Sequence, residues 1–211
     1  MSMTRRTIGW LAATLLSFAA LGAHAQAKAP EALIKEVSTD VLDAVKADKT
    51  IQAGDLRKVI ALVDQKVLPY VNFQRMTASA VGRYWKQATP DQQKRLQDEF
   101  KLLLVRTYSG ALSQVSAEQT VELRPMRSAA TDNEVVVRTE IKGKGDPIQL
   151  DYRLEKAGDS WKIYDVNVLG VWLVENYRNS FAQEIGANGI DGLIAKMAER
   201  NKSAAAAGAK S

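Results

Sequence analysis

Apolar side chains recur at helical spacing up to about residue 117, alternate with polar ones from 119 to 168, and return to helical spacing after 170. In the first region Ile34, Val37, Val41 and Val45 predict one amphipathic helix. Leu56, Val59, Ile60, Val63 and Val67 predict a second, opened by Gly54 and Asp55 and ended by Pro69. Phe73, Met76 and Ala80 fit a short third, flanked by Tyr70, Tyr84 and Trp85. At "TPDQ", Thr89 can cap a helix, Pro90 suits its first position and Gln92 completes a capping box. The fourth helix is expected to run to about Ala117, with Leu96, Phe100, Leu103, Thr107, Ala111 and Val115 as its stripe. "LLLV" (residues 102–105) widens that stripe, so this helix is buried on two sides or borders a cavity.

Four strand signals follow: "QTVELRPM", "EVVVRTEIK", "IQLDYRLEK" and "SWKIYDVNV". In the second, Val135, Val137, Thr139 and Ile141 share a side. In the third, Ile148, Leu150, Tyr152 and Leu154 face in, and Gln149, Asp151, Arg153 and Glu155 face out. "ATDN", "KGKGDP" and "KAGDS" supply the turns. At Gly170 the chain passes from strand to helix, with Leu173, Tyr177, Phe181 and Ile185 as a core-facing stripe, and "GIDGLIAKMAERN" forms a last short helix. The order indicates an α+β fold: a four-stranded antiparallel meander packed on one face by about six helices. Apolar supply is large for one sheet face, so either a fully packed core or a deep apolar cavity between sheet and helices accounts for it.

The first 25 of the 211 residues change the picture of where the protein works. Arg5 and Arg6 precede the apolar run "IGWLAATLLSFAALGA", and "AHA" at 23–25 is a small-x-small cleavage site. This is a secretory signal peptide, cleaved after Ala25 and suited to the general export route. Residues 26–202 are then one domain, and 203–211 ("SAAAAGAKS") a low-complexity mobile tail. There is no cysteine, and the only histidine, His24, leaves with the leader. The mature chain therefore lacks the residues for Ser-His-Asp or Cys-His catalysis and for the common zinc sets. Removing two arginines lowers the formal net charge from +5 to +3, too weakly basic to argue for nucleic acid.

Little else in the chain suggests chemistry. Asp165 could act as a base, but no histidine or second carboxylate is near in sequence, and a structural hydrogen bond at the sheet end is the plainer reading. Asp151 falls on the wet side of its strand. Arg178 could pair with an acid or grip a phosphate. "GKG" within "KGKGDP" lacks the spacing of a phosphate loop. Trp172 has Glu175, Asn176, Asn179 and Gln183 as its helical neighbours, so it packs on another element at the joint or lines an opening.

The stretch "IYDVNVLGVWLVENYRNSFAQEIGANGIDGLIAKM" resembles the C-terminal signature of the MlaC-like, toluene-tolerance family. The shared pattern falls on Tyr164 to Val166, Gly170 to Val174, Asn176 to Arg178, Phe181, Gly189, Asp191, Leu193 and Ile194. "GRYW" at 82–85, the leader and the element order extend the likeness, and Trp172 departs from it where the family commonly has Ser. The resemblance implies a periplasmic phospholipid carrier, monomeric and without catalytic group, metal or cofactor. It would shuttle lipid between an outer-membrane lipoprotein/porin complex and an inner-membrane ABC transporter with a substrate-binding ring, maintaining outer-membrane asymmetry. Acyl chains are then expected between the sheet and the helices, against Tyr70, Val71, Phe73, Met76, Leu103, Tyr108, Val137, Tyr152, Trp161, Val171, Trp172 and Tyr177. Two other classes remain: a small enzyme of the cone-shaped isomerase kind using Asp165, and an envelope interaction module that holds no lipid.

Overall fold

The computed structural model describes residues 28–126 and 132–208. The expected signal peptide and the last three residues of the expected tail lie outside them. Six α-helices are described: α1 (Pro30–Ala47), α2 (Lys49–Gln52), α3 (Leu56–Leu62), α4 (Phe73–Val81), α5 (Pro90–Tyr108) and α6 (Leu173–Gly208). Between α5 and α6 lie β1 (Thr120–Arg124), β2 (Glu134–Lys142), β3 (Ile148–Ala157), β4 (Ser160–Val168) and β5 (Val171–Trp172), paired antiparallel in that order. The expected α+β meander is present, with five strands rather than four. Residues 171–172, expected to begin the helix, first pair with Asn167 and Val168.

Local chemistry sets the element ends. Pro30 occupies the first turn of α1, where its missing N–H costs nothing. Asn72 caps α4 by accepting from the Arg75 N–H. Thr89 and Gln92 form the expected capping box of α5. That helix ends at Tyr108, earlier than expected, and tightens into a 3-10 segment, Ser109–Gln114. The second expected helix likewise changes winding: α3 passes into a π-helical turn, Val63–Val67, and a 3-10 turn, Leu68–Tyr70. Gly189 (φ 72°, ψ 179°) breaks α6 into the two helices the sequence pattern separated. The second of these continues to Gly208, through most of the expected tail.

Among the described residues, three apolar clusters form the interior. The α4–α5–α6 bundle packs Leu96, Leu103, Tyr177 and Phe181 around Phe100, whose ring meets Tyr177 and Phe181 edge-on at 5.1 and 5.2 Å. Helix α1 lays Leu33, Ile34 and Val37 on Val135, Val137, Leu154, Trp161 and Ile163 of the sheet. A third cluster joins Val45, Ile51, Val59 and Leu62 to Val105. The α3–α4 connection is fastened to β4, where Val71 bridges Ile163 and the Asn72 N–H donates to the Ile163 carbonyl at 2.8 Å.

The β3–β4 register shifts at Arg153/Leu154, and Tyr164 is passed over. The shift changes the phase of β4. Trp161 and Ile163 are buried in the α1–sheet core, whereas Val166 and Val168 face the space beneath the other end of the sheet.

An apolar cavity where three cores fail to meet

Beneath that end of the sheet the clusters line a cavity of about 370 Å³ that is partly open to solvent. Its roof is Ile141, Ile148, Leu150, Val166 and Val168, the inward positions at the ends of β2, β3 and β4. Its floor is Val71, Phe73 and Met76. Leu104, Val105 and Tyr108 of α5 form one wall, continued by Ala111, Leu112, Gln114 and Val115. Val63, Val67 and Leu68 close the other side, and Leu173 stands at the start of α6. Helix α5 thus turns Leu103 into the bundle core and Leu104 and Val105 toward the cavity, as its widened stripe requires.

The wall has almost no reactive chemistry. Its polar members are Lys101, Gln114, Gln119 and the Tyr108 phenol. Lys101 is bound to Asp64 at 2.9 Å. Burial, and then the neighbouring Tyr177, push the Tyr108 phenol above its ordinary pKa, so it stays neutral. Among the described residues no three metal-ligating side chains come together, and no helix is long and apolar enough to cross a membrane.

The candidate residues fall into separate places. Val71, Phe73, Met76 and Tyr108 line the cavity. Tyr70, Val137, Tyr152 and Trp161 belong to the α1–sheet core, where the Tyr152 hydroxyl lies 3.2 Å from that of Ser38. Leu103 and Tyr177 belong to the bundle core and border a smaller pocket of about 110 Å³. Val171 is exposed at the β4–β5 turn. Sequence reasoning missed Leu68, Leu104, Val105, Leu150, Val166 and Val168, although the two-sided stripe and the strand alternation carried the signal for most of them.

Trp172 pairs with Asn167 on the outer side of the sheet, and its ring carries the Arg153 guanidinium 3.9 Å from its centroid. Arg153 also binds Asp165 at 3.0 Å and Glu175 at 3.1 Å. Asp165, 1% exposed, accepts from the Val166 and Val174 N–H groups at 2.9 and 3.1 Å. It caps the first turn of α6 from the neighbouring strand. Burial raises its pKa, while those N–H groups and Arg153 oppose the rise. Asp151, expected to be solvated, is instead buried, beside Gln149 and 3.9 Å from Arg138. The long side chains of its neighbours cover an outer position that alternation alone marks as wet. Arg178 donates from Nε to the Ser79 carbonyl, which ties α6 to α4.

A family model described as "MlaC protein" matches residues 35–199. The chain is 26% identical to the intermembrane phospholipid transport system binding protein MlaC of Haemophilus influenzae, over 80% of each sequence. It is 25% identical to the toluene tolerance protein ttg2D of Pseudomonas putida, over 84% of this chain and 86% of the relative. A solved structure of the phospholipid-binding protein from Ralstonia solanacearum, in complex with a phospholipid, superimposes with a TM-score of 0.79 at 48% identity. That match covers 83% of this chain and 98% of the other.

Proposed function

The chain belongs to the MlaC family, and from that premise we propose that it is a periplasmic phospholipid carrier. The observation that carries the reading is the cavity itself, whose wall is aliphatic and aromatic apart from a few polar side chains. The phospholipid complex of the Ralstonia solanacearum relative supports it.

Moving an acyl chain through water exposes surface worth about 0.8 kcal/mol per methylene, on the order of 20 kcal/mol for two ordinary chains. A barrier of that size makes unassisted transfer between membranes very slow. A cavity as apolar as the bilayer removes most of the penalty and needs no metal, cofactor or reactive group. Val71, Phe73, Met76 and Tyr108 hold the chains, with Leu104, Leu150, Val166 and Val168 opposite. The head group stays at the solvent side. Asp165 is committed to α6 and Arg153, so no turnover is assigned to it. The leader, cleaved after Ala25, delivers the chain to the periplasm. There it passes lipid between an outer-membrane lipoprotein/porin complex and an inner-membrane ABC transporter with its substrate-binding ring, keeping the outer membrane asymmetric.

The test is transfer. Delipidated protein mixed with vesicles of fluorescent phospholipid should take up label and deliver it to unlabelled acceptor vesicles. Absence of both uptake and delivery sinks the carrier reading. Loss of the protein from its host should raise phospholipid in the outer leaflet, and an unchanged leaflet would remove the asymmetry role.

A further inference from the structure

Among the described residues, Lys101 is the only charged member of the cavity lining. Its side chain lies in the α5 wall, and its ammonium reaches Asp64 at 2.9 Å. Asp64 belongs to the π-helical turn Val63–Val67, whose Val63 and Val67 line the opposite side. The ion pair therefore joins α5 to the segment that faces it across the cavity. Turns of π-helix are rare, and they recur at functional sites.

Stability of the fold does not account for this pair. The lysine side chain is 24% exposed and the aspartate 42%, so water screens the contact and it adds little. An aliphatic side chain at 101 would suit the apolar wall better. The other polar members of the wall are neutral. The Gln114 amide donates to the Ser113 hydroxyl, and Gln119 accepts from the Ser116 N–H. A half-exposed carboxylate on a lysine at the cavity edge is an exchangeable partner, because it returns to water when another anion takes its place.

We propose that Lys101 is the subsite for the phosphodiester of the bound lipid, and that Asp64 holds its place in the empty protein. The assignment rests on the carrier reading. Lys101 stands one helical turn before Leu104 and Val105, both in the cavity wall, so acyl chains against those residues bring the glycerol phosphate within its reach. A phosphodiester drawn to the edge of an apolar cavity without a counter-charge pays a desolvation penalty. An ammonium already at that edge meets it with a charge-assisted hydrogen bond. The exchange conserves charge, since one anion leaves the lysine as another arrives. It reads the group that all phospholipids share and not the substituent beyond it. The cavity then prefers phospholipid to uncharged diacylglycerol while staying indifferent to the head group.

Soluble short-chain ligands test this without a bilayer. Delipidated mature protein is titrated with dihexanoylphosphatidylglycerol and with dihexanoylglycerol, which has the same chains and no phosphate. Lys101→Met should weaken phospholipid binding about tenfold and leave diacylglycerol binding unchanged. Lys101→Arg should restore most of the loss. Asp64→Asn should tighten phospholipid binding about threefold, because the competitor for the lysine is gone. A pair that only ties α5 to the facing turn predicts no such gain. Equal effects on both ligands, or none on either, overturn the phosphate subsite and leave the carrier intact. Weaker phospholipid binding by Asp64→Asn overturns the exchange. Wild-type protein that binds neither ligand overturns both readings. Inorganic phosphate should not compete at millimolar concentration, since it brings no chains. Competition that Lys101→Met abolishes would assign the lysine to free phosphate and overturn the lipid assignment.

Discussion

Filling the cavity should separate lipid binding from folding. Ala111 lies in the 3-10 segment after α5, contributes to the cavity wall and is otherwise exposed, so a larger side chain there has room to turn inward without displacing a packed core. In Ala111→Trp the indole takes the space of roughly five methylenes of acyl chain. At about 0.8 kcal/mol each, the ligand loses about 4 kcal/mol of burial. That is roughly a thousandfold in affinity. The empty protein should respond in the opposite sense, because filling an apolar cavity commonly adds about 0.5–2 kcal/mol of stability. The assay pairs lipid stoichiometry by extraction and mass spectrometry with thermal unfolding of the delipidated form. Low loading with an equal or higher Tm is expected. A folded variant that loads lipid like the parent would refute the placement of the chains.

Other consequences follow from the ties between helices and sheet. Arg75 binds Glu134 at 2.6 Å, binds Glu155 as well, and lies over the Tyr164 ring at 3.7 Å, anchoring α4 beside the cavity floor. Arg75→Met should cost about 2 kcal/mol in urea unfolding, since part of the network is solvent-screened. Asp165→Asn keeps an acceptor for Val174 and should leave lipid loading intact with a stability change below about 1 kcal/mol. Asp165→Ala strands two N–H groups and should cost about 2–3 kcal/mol, again without a loss of loading once folded. Loss of a turnover on Asp165→Asn would instead favour an enzyme. The hydrogen bond from Arg75 holds Glu134 below its ordinary 4.5, and that from Lys196 does the same for Glu184. For a lowered carboxylate the stabilisation is present above the ordinary value and lost as pH falls through the folded one, so Tm should decline as pH drops below about 4.5. The raised pKa of Asp165 acts in the opposite direction, since protonation relieves its burial. A Glu134→Gln, Glu184→Gln variant whose Tm falls below that pH as steeply as the parent's would count against these pairings.

The sequence made the helices and long strands legible because their partners are local: the Thr89–Gln92 capping box, the alternation of Val135, Val137 and Thr139, and the two-sided stripe at 102–105. The fifth strand was not legible. It is two residues long, too short to show a period, and its turn is "LG" where hairpin chemistry leads one to expect "NG". Asp151 was misjudged because its burial comes from Arg138 and Gln149, whose coverage depends on strand pairing. The cavity residues were hardest to single out. Val137 and Val166 have the same apolar side chain on adjoining parts of one sheet. Val137 is fully buried in the α1–sheet core, whereas Val166 packs only partly against that core and also lines the cavity, and only the placement of α1 and the shift at Arg153/Leu154 separates them. Trp172, the misfit in the helical pattern, is explained by its strand register, which sets it over Arg153.

The central claim is that the cavity holds phospholipid. Mature chain purified from a Gram-negative host, extracted with organic solvent and analysed by mass spectrometry, should yield about one diacyl phospholipid per chain. After delipidation it should recover that lipid from liposomes. A chain that brings no phospholipid through purification and acquires none from liposomes would contradict the account.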